Sequence, residues 1–236
     1  MSATLWKHDR TYPRQGAGLV GVDEAGRGCL AGPVFAAAVY LPESIFSRRW
    51  SSFKAPRIDD SKKLSEAERN TALRFLQNLR DQENVRMAVG TADVEEIDTH
   101  NILGATTLAM GRALKGLGLS LASAELPLWS ASADEPPPPV LIDGRPVKRL
   151  PYTHEGLVQG DGKSLTIALA SVLAKVERDR WMVEAHQQFP AYGWSRNRGY
   201  GTAEHRRGIQ ETGPCRLHRK LFLRKILSHP RDGVSS

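Results

Sequence analysis

LVGVDEAGRGCLAGPVFAAAVYL, residues 19–41, runs an apolar stretch into two adjacent carboxylates, Asp23 and Glu24, and follows them with Gly26, Arg27 and Gly28. LVGV at 19–22 reads as a short buried strand, and VFAAAVYL at 34–41 as its antiparallel neighbour across a glycine-rich turn. Adjacent side chains in extended backbone point to opposite faces, so Asp23 and Glu24 reach one centre only where strand gives way to turn. Gly26 and Gly28 are expected to supply that break.

Outward from this hairpin, SEAERNTALRFLQNL at 65–79 has the spacing of an amphipathic helix, with Ser65 as its cap and Glu68 completing a capping box. VRMAVGTA at 85–92 reads as a third strand, and NILGATTLAMGRALKGL from 101 is helical in spacing. ASADEPPPP at 131–139 is incompatible with regular structure, because successive prolines supply no amide donors; it reads as a surface insertion. VLI at 140–142 then forms a strand running into Asp143-Gly144, and TIALASVLAKVERDRWMVEAH at 166–186 is the longest helix.

A length of 236 residues with 40% hydrophobic content suits one sizeable domain, or one with an appendage. The longest clean apolar runs fall well short of the ~18 residues of a bilayer span, and the N-terminus lacks an apolar signal core, so a cytoplasmic protein with no membrane partner is expected. Cys29 and Cys215 are too few for a disulfide framework, and Cys215 with His218 makes only half a zinc site. Residues 186–236 hold ten Lys and Arg against three Asp and Glu, a net of +7, which is the whole excess charge of the chain. A neutral body with a basic C-terminal piece fits a catalytic core carrying a nucleic-acid grip, or a merely solvated helical face.

Two apolar strands therefore end on carboxylates, where α/β sheets gather their sites. Asp143-Gly144 alone would also suit a plain turn. On the long helix, Asp179 follows Val176 by three residues and Val172 by seven and precedes Val183 by four, on an apolar stripe. A carboxylate there needs a cation. Lys175, one turn earlier, could provide it; alternatively Asp179 joins Asp23, Glu24 and Asp143 around divalent metal, for which all-oxygen ligation suits Mg²⁺ or Mn²⁺.

Several stretches in fixed order carry a resemblance: GVDEAGRG with LAGPV, DSKKLS at 60–65, NILGAT at 101–106, LIDG at 141–144, GDGKS followed by IALASVLAKVERDR, and YGWSRNRGYGTAEH with GPCRLHR. From about Leu19 to Phe222 the chain resembles the bacterial ribonuclease HII family of type 2 ribonucleases H. The resemblance implies an α/β fold: a ribonuclease H-like core with a five-stranded mixed sheet flanked by helices, plus a helical C-terminal region. It implies an N-terminal extension at 1–18, a catalytic domain at 19–187 with a Pro-rich insertion near 127–139, and a basic substrate-binding region at 188–236.

The same resemblance places the acidic quartet on Asp23, Glu24, Asp143 and Asp179, as metal ligands and catalytic groups for two Mn²⁺ or Mg²⁺ ions. The implied partners are RNA–DNA hybrid and duplex DNA containing ribonucleotides, cut 5′ of the ribonucleotide by an enzyme acting as a monomer and leaving 3′-hydroxyl and 5′-phosphate ends. Gly26, Arg27 and Gly28 would read the 2′-hydroxyl through their backbone, Tyr200 would stack beside the sugar, and Lys62 and Lys163 would contact phosphates. Three positions depart from the family pattern. Cys29 replaces a usual proline, which would loosen the loop or leave a reactive thiol; Asn197 replaces a common histidine; Leu169 enlarges a usual alanine. A phosphate-binding P-loop at GDGKS is excluded by spacing, since Gly156 and Gly162 enclose five residues where four are required. A non-catalytic binder gains nothing by concentrating acids near phosphates, and a junction resolvase would cut without any ribonucleotide.

Overall fold

The computed structural model describes residues 2–12, 17–118 and 137–227. Five strands, β1 (Leu19–Ala25), β2 (Val34–Leu41), β3 (Arg86–Ala92), β4 (Val140–Asp143) and β5 (Glu155–Leu157), form one mixed sheet in the order β3-β2-β1-β4-β5. β1, β2 and β3 pair antiparallel, while β4 and β5 continue the sheet in parallel with β1. The helices are α1 (Ser2–Asp9), α2 (Glu43–Ser47), α3 (Glu66–Glu83), α4 (Val94–Gly116), α5 (Leu165–Gln188), α6 (Trp194–Asn197), α7 (Ala203–Thr212) and α8 (Lys220–Leu227). Most of the expected insertion, residues 127–136, lies outside the described residues.

Period-2 alternation divides the sheet into two apolar faces. Leu19, Ala37, Val39, Leu41 and Leu141 pack with α1, α3 and α5. Val20, Val22, Ala36, Ala38, Val140 and Ile142 pack with α4. The long buried helix α5 crosses β1 closely: a Cβ at Gly21 would lie 2.4 Å from the Thr166 carbonyl carbon, so glycine is what lets the helix approach. Its N-terminus is capped twice. Ser164 Oγ accepts from the Ile167 N–H at 3.2 Å, and the buried Asp9 of α1 accepts from the Thr166 N–H at 2.9 Å and hydroxyl at 2.7 Å. The first helix is thus tied to the start of the longest one.

α3 carries the expected capping box at Ser65 and Glu68. α4 begins earlier than the spacing from 101 indicated, with a second capping box at Asp93 and Glu96, and it is broken at Asn101, whose φ of 57° is left-handed. Asn101 Oδ1 accepts from the Leu103 and Gly104 N–H groups and restarts the helix there. After α5 the chain builds a satellite core from Tyr192, Trp194, Ile209 and Leu223 against Ala31, Met182 and Ala185. Within it Trp194 Nε1 donates to His205 Nε2 at 2.9 Å, and His218 Nδ1 accepts the Cys215 N–H at 3.0 Å. The nitrogens of the half zinc motif are spent on protein partners. No helix among the described residues is long and apolar enough to cross a membrane.

Candidate active site

The parallel pairing of β1 with β4 matches Val22 to Ile142, so the next residue on each strand, Asp23 and Asp143, emerges side by side. Alternation puts both on the α5 face, with Leu19 and Leu141. Asp23 is 4% exposed. β1 runs past both acids to Ala25, beyond the 19–22 expected from the sequence, so the turn at Gly26 comes too late to bring the two side chains to one side. Glu24 therefore turns to the opposite side, toward the α4 face, where its Oε1 meets Arg27 Nη1 at 2.9 Å.

A third carboxylate joins Asp23 and Asp143. Asp161 sits in the tight turn Gly160–Gly162 that leads into α5, and one carboxylate oxygen from each of the three lies within 4.8 Å of the others. The turn is fixed by the acid it serves: the Gly160 N–H donates to Asp143 Oδ1 at 2.6 Å, and the Asp161 N–H to the same oxygen at 3.4 Å. The sequence alone does not single out Asp161. GDG between a short strand and a helix cap carries no periodic signal; only the fold brings it to the strand ends.

Asp179 does not join this cluster. Lys175 Nζ donates to its Oδ1 at 2.6 Å and Arg198 Nε lies 3.9 Å from Oδ2, so the one-turn ion pair satisfies it. Ser171, the α5 residue whose hydroxyl bonds Asp23, lies eight residues earlier, about 12 Å along a helix rising 1.5 Å per residue. Asp179 lines a separate opening with Glu66, Arg69 and Arg198.

Electrostatics mark the cluster as strained without a cation. Burial, then the charges of Glu24 and Asp143, push the Asp23 carboxyl well above its usual range. Burial and the neighbouring Asp143 and Asp60 push Asp161 up to about 6. Glu24 is raised by burial, partly opposed by Arg27, with Asp143 adding to the rise. Asp23 and Asp161, both buried and both raised in proton affinity, form with Asp143 a donor set that a hard divalent cation would hold ionised, and all-oxygen ligation fits Mg²⁺ or Mn²⁺. The exposed Lys62 stands over this group, its Nζ 4.0 Å from Asp161 Oδ2. Burial lowers the proton affinity of Lys62, but Asp161, Asp60, Asp23 and Asp143 outweigh that and leave it raised. Lys163 Nζ instead donates to the Val158 carbonyl at 2.6 Å, clasping the turn after β5.

Beside the acids lies a cavity of about 540 Å³ whose walls include Gly26, Arg27, Gly28, Lys62, Lys175 and Tyr200. Tyr200 is 40% exposed, with Lys175 Nζ 5.7 Å and Arg178 Cζ 5.8 Å from its ring centre. The two glycines of the loop differ. Gly26 has φ 93°, and a Cβ there would fall 1.9 Å from Arg178 Nε, so the protein itself requires glycine. A Cβ at Gly28 would meet nothing within 4 Å. A second groove of about 710 Å³ shares Glu24 and Arg27 and adds Asp143, Arg145, Lys148 and Arg149.

The departures at Cys29 and Asn197 are absorbed locally. Cys29 is fully buried, burial pushes its thiol up, and it bonds the Tyr200 side chain; the expectation of a reactive thiol gives way to a packed one. Asn197 Nδ2 donates to the Tyr192 carbonyl at 2.7 Å and its Oδ1 accepts the Gly199 N–H at 2.9 Å, bracing the turn ahead of Tyr200. Leu169 is fully buried in the α5-face core.

A family model described as ribonuclease HII matches residues 20–225. A ribonuclease HII of Caldanaerobacter subterraneus is 42% identical over 209 residues, covering 89% of this chain and 75% of the relative. That of Halorhodospira halophila is 43% identical over 219 residues, covering 91% and 98%. Among solved structures, ribonuclease H2 from Pyrococcus horikoshii superposes with a TM-score of 0.62 at 21% identity, over 89% of this chain and 97% of that one, a likeness of fold.

Proposed function

Since the chain belongs to the ribonuclease HII family, we propose that its strand-end acids and the adjoining cavity work as one active site that cuts where a ribonucleotide is recognised. Family membership makes the protein a metal-dependent ribonuclease H endonuclease acting on RNA paired with DNA. The finer reading is cleavage on the 5′ side of a ribonucleotide, including one embedded in duplex DNA. The observation that carries it is the placement of Asp23, Asp143 and Asp161 within 4.8 Å of one another beside a cavity walled by Gly26–Gly28 and Tyr200.

Asp23, Asp143 and Asp161 would hold divalent cations, with Glu24 at the lip of the same strand end. Bound cations supply the charge that lets water attack the phosphodiester and the 3′ oxygen leave, giving 3′-hydroxyl and 5′-phosphate ends. The chain's own residues do the rest. Gly160 and Asp161 amides orient Asp143. Lys62 offers a cation to the scissile phosphate from its place above Asp161. The 26–28 backbone, uncovered at Gly28, reads the 2′-hydroxyl, and the Tyr200 ring lies against the sugar. Asp179 acts one step removed, by holding Lys175 beside Tyr200. The basic region at 188–236 grips flanking phosphates.

The test is cleavage of a labelled DNA duplex containing one ribonucleotide, beside an all-DNA duplex, in Mg²⁺, in Mn²⁺ and with chelator. Cutting of the first alone, abolished by chelator, is expected. Equal cutting of the all-DNA duplex would overturn the reading.

A further inference from the structure

Two guanidiniums lie beneath the cavity. Arg178 and Arg219 are 1% and 0% exposed, and among the described residues neither forms an ion pair with a carboxylate. Burying a charge without a counter-charge is costly, and an apolar residue would fill the space more cheaply. What these two side chains do instead is donate to backbone carbonyls of the segments that wall the cavity.

Arg178 donates through Nε to Pro33 at 3.2 Å, through Nη2 to Ala31 at 3.2 Å and through Nη1 to Arg198 at 2.9 Å. Arg219 donates through Nε to Gly32 at 2.9 Å and through Nη1 to Arg27 at 3.0 Å. Arg178 thus bridges the segment after the 26–28 loop to the residue two before Tyr200, while its edge fills the space that a side chain at Gly26 would need. Arg219 reaches the loop itself from the C-terminal region. Its Nη2 has no partner among the described residues, and burial lowers its pKa to about 10, the mark of a charge held where it is expensive.

We infer that Arg178 and Arg219 are positioning residues for ribonucleotide recognition, holding the 26–28 loop and the Tyr200 segment at a fixed separation so that the cavity is shaped before substrate arrives. The inference rests on reading that cavity as the ribonucleotide reader. The planar fork is the essential feature, because one guanidinium donates in several fixed directions at once. Lysine keeps the charge but cannot span the same carbonyls. A role limited to attracting phosphates would survive Arg→Lys; a role in positioning would not.

The experiment compares wild type with Arg178→Lys and Arg219→Lys in cleavage of a duplex carrying one ribonucleotide, Mn²⁺ calorimetry, and amide NMR of residues 26–29 and 199–202. Maximal rate should fall about 10- to 100-fold well below each variant's melting midpoint, as misplacement by about 1 Å would cause. KM and Mn²⁺ affinity should stay within about threefold. Tyr200→Ala added to Arg178→Lys should slow cutting by less than the product of the separate effects, since both act through one cavity. Should Arg178→Lys not fold, Arg219→Lys carries the same test. A wild-type maximal rate in the folded variants, or a loss confined to KM or to Mn²⁺ affinity, would overturn the inference. If wild-type protein leaves the ribonucleotide duplex uncut, the functional reading fails separately. The amide spectra then decide whether the two segments are coupled: joint shifts in both support it, and unmoved resonances refute it.

Discussion

The Gly160 N–H donates to Asp143 Oδ1 at 2.6 Å, and the next residue, Asp161, turns its own carboxylate into the same cluster. One short turn therefore both orients a strand-end acid and adds another. Asp161→Asn is expected to lower metal-dependent cleavage at least about 100-fold, as loss of a group aligned with the reacting centre does. Asp179→Asn should stay within about tenfold of wild type and keep its metal affinity, because its carboxylate serves Lys175. Mn²⁺ calorimetry with cleavage assays checks both, and the opposite ranking would restore Asp179 to the metal site.

Asp23→Asn and Asp143→Asn are expected to abolish cutting yet raise the melting temperature of metal-free protein. Asp23 is buried and pushed up by Glu24 and Asp143, so removing one charge relieves repulsion. Differential scanning calorimetry with chelator present reads this, and a lower midpoint for both variants would count against the repulsion argument. Saturating Mn²⁺ should reverse the order, since only the wild type then gains binding energy in full.

Metal-free stability should also depend on pH with a defined sign. Asp161 is raised to about 6, above the unfolded carboxylate value of about 3.9, so the folded state binds more protons between those values. Stability is therefore lost as pH rises through this window and levels off above it as far as Asp161 is concerned. Metal affinity runs the other way, rising toward pH 6 as cations displace the proton. Melting curves from pH 4 to 7 should show a shallower slope in Asp161→Asn; an unchanged slope would remove Asp161 from the account.

What the sequence made legible follows from how local each signal is. β2 and α3 were readable because period and cap lie within a few neighbouring residues, Val34–Leu41 for one and Ser65 with Glu68 for the other. The start of α4 was obscured because Asn101, at a left-handed φ, interrupts the apolar spacing that identifies a helix. β5, only Glu155–Leu157, is too short to show alternation. At the site, Asp23 and Asp143 stood out as ends of apolar runs, whereas Asp161 depends on the turn before α5 folding back against β4. Of the stripe Val172, Val176, Asp179 and Val183 only the first two valines are buried; Val183 is exposed and Asp179 meets Lys175 and Arg198, because apolar spacing along one helix does not say where its buried face ends or which cation its acid meets.

The two loop glycines should separate folding from recognition. Gly26→Ala meets Arg178 and a φ of 93°, so it should destabilise the fold by about 1–3 kcal/mol, the usual cost of a strained backbone position. Gly28→Ala enters open space and should melt with the wild type, yet it should cut a ribonucleotide duplex at least about tenfold more slowly if the methyl stands where substrate backbone must approach. Thermal melts paired with cleavage rates distinguish the cases. Normal cutting by a stable Gly28→Ala would remove close backbone approach at that residue.

The basic C-terminal region offers the last test, and the structure dictates its form. Truncation before Ala191 would confuse grip with integrity, because it would strip Trp194 and Ile209 from Ala31 and Met182 and delete the Arg219 contact to the Arg27 carbonyl. Neutralising exposed cations avoids this. Arg206, Arg207, Lys220 and Arg224 are exposed, and their replacement by Gln leaves the satellite core in place. If these side chains neutralise phosphates, each lost contact should reduce the slope of log K against log salt by about 0.9, with weaker binding at low salt and little change in maximal rate. Fluorescence anisotropy of a labelled duplex across a salt series, beside cleavage at saturating enzyme, measures both. A quadruple variant with an unaltered salt slope would mean that these charges only face solvent and that the grip lies elsewhere, with Arg145, Lys148 and Arg149 of the groove beside Asp143 the next cations to replace.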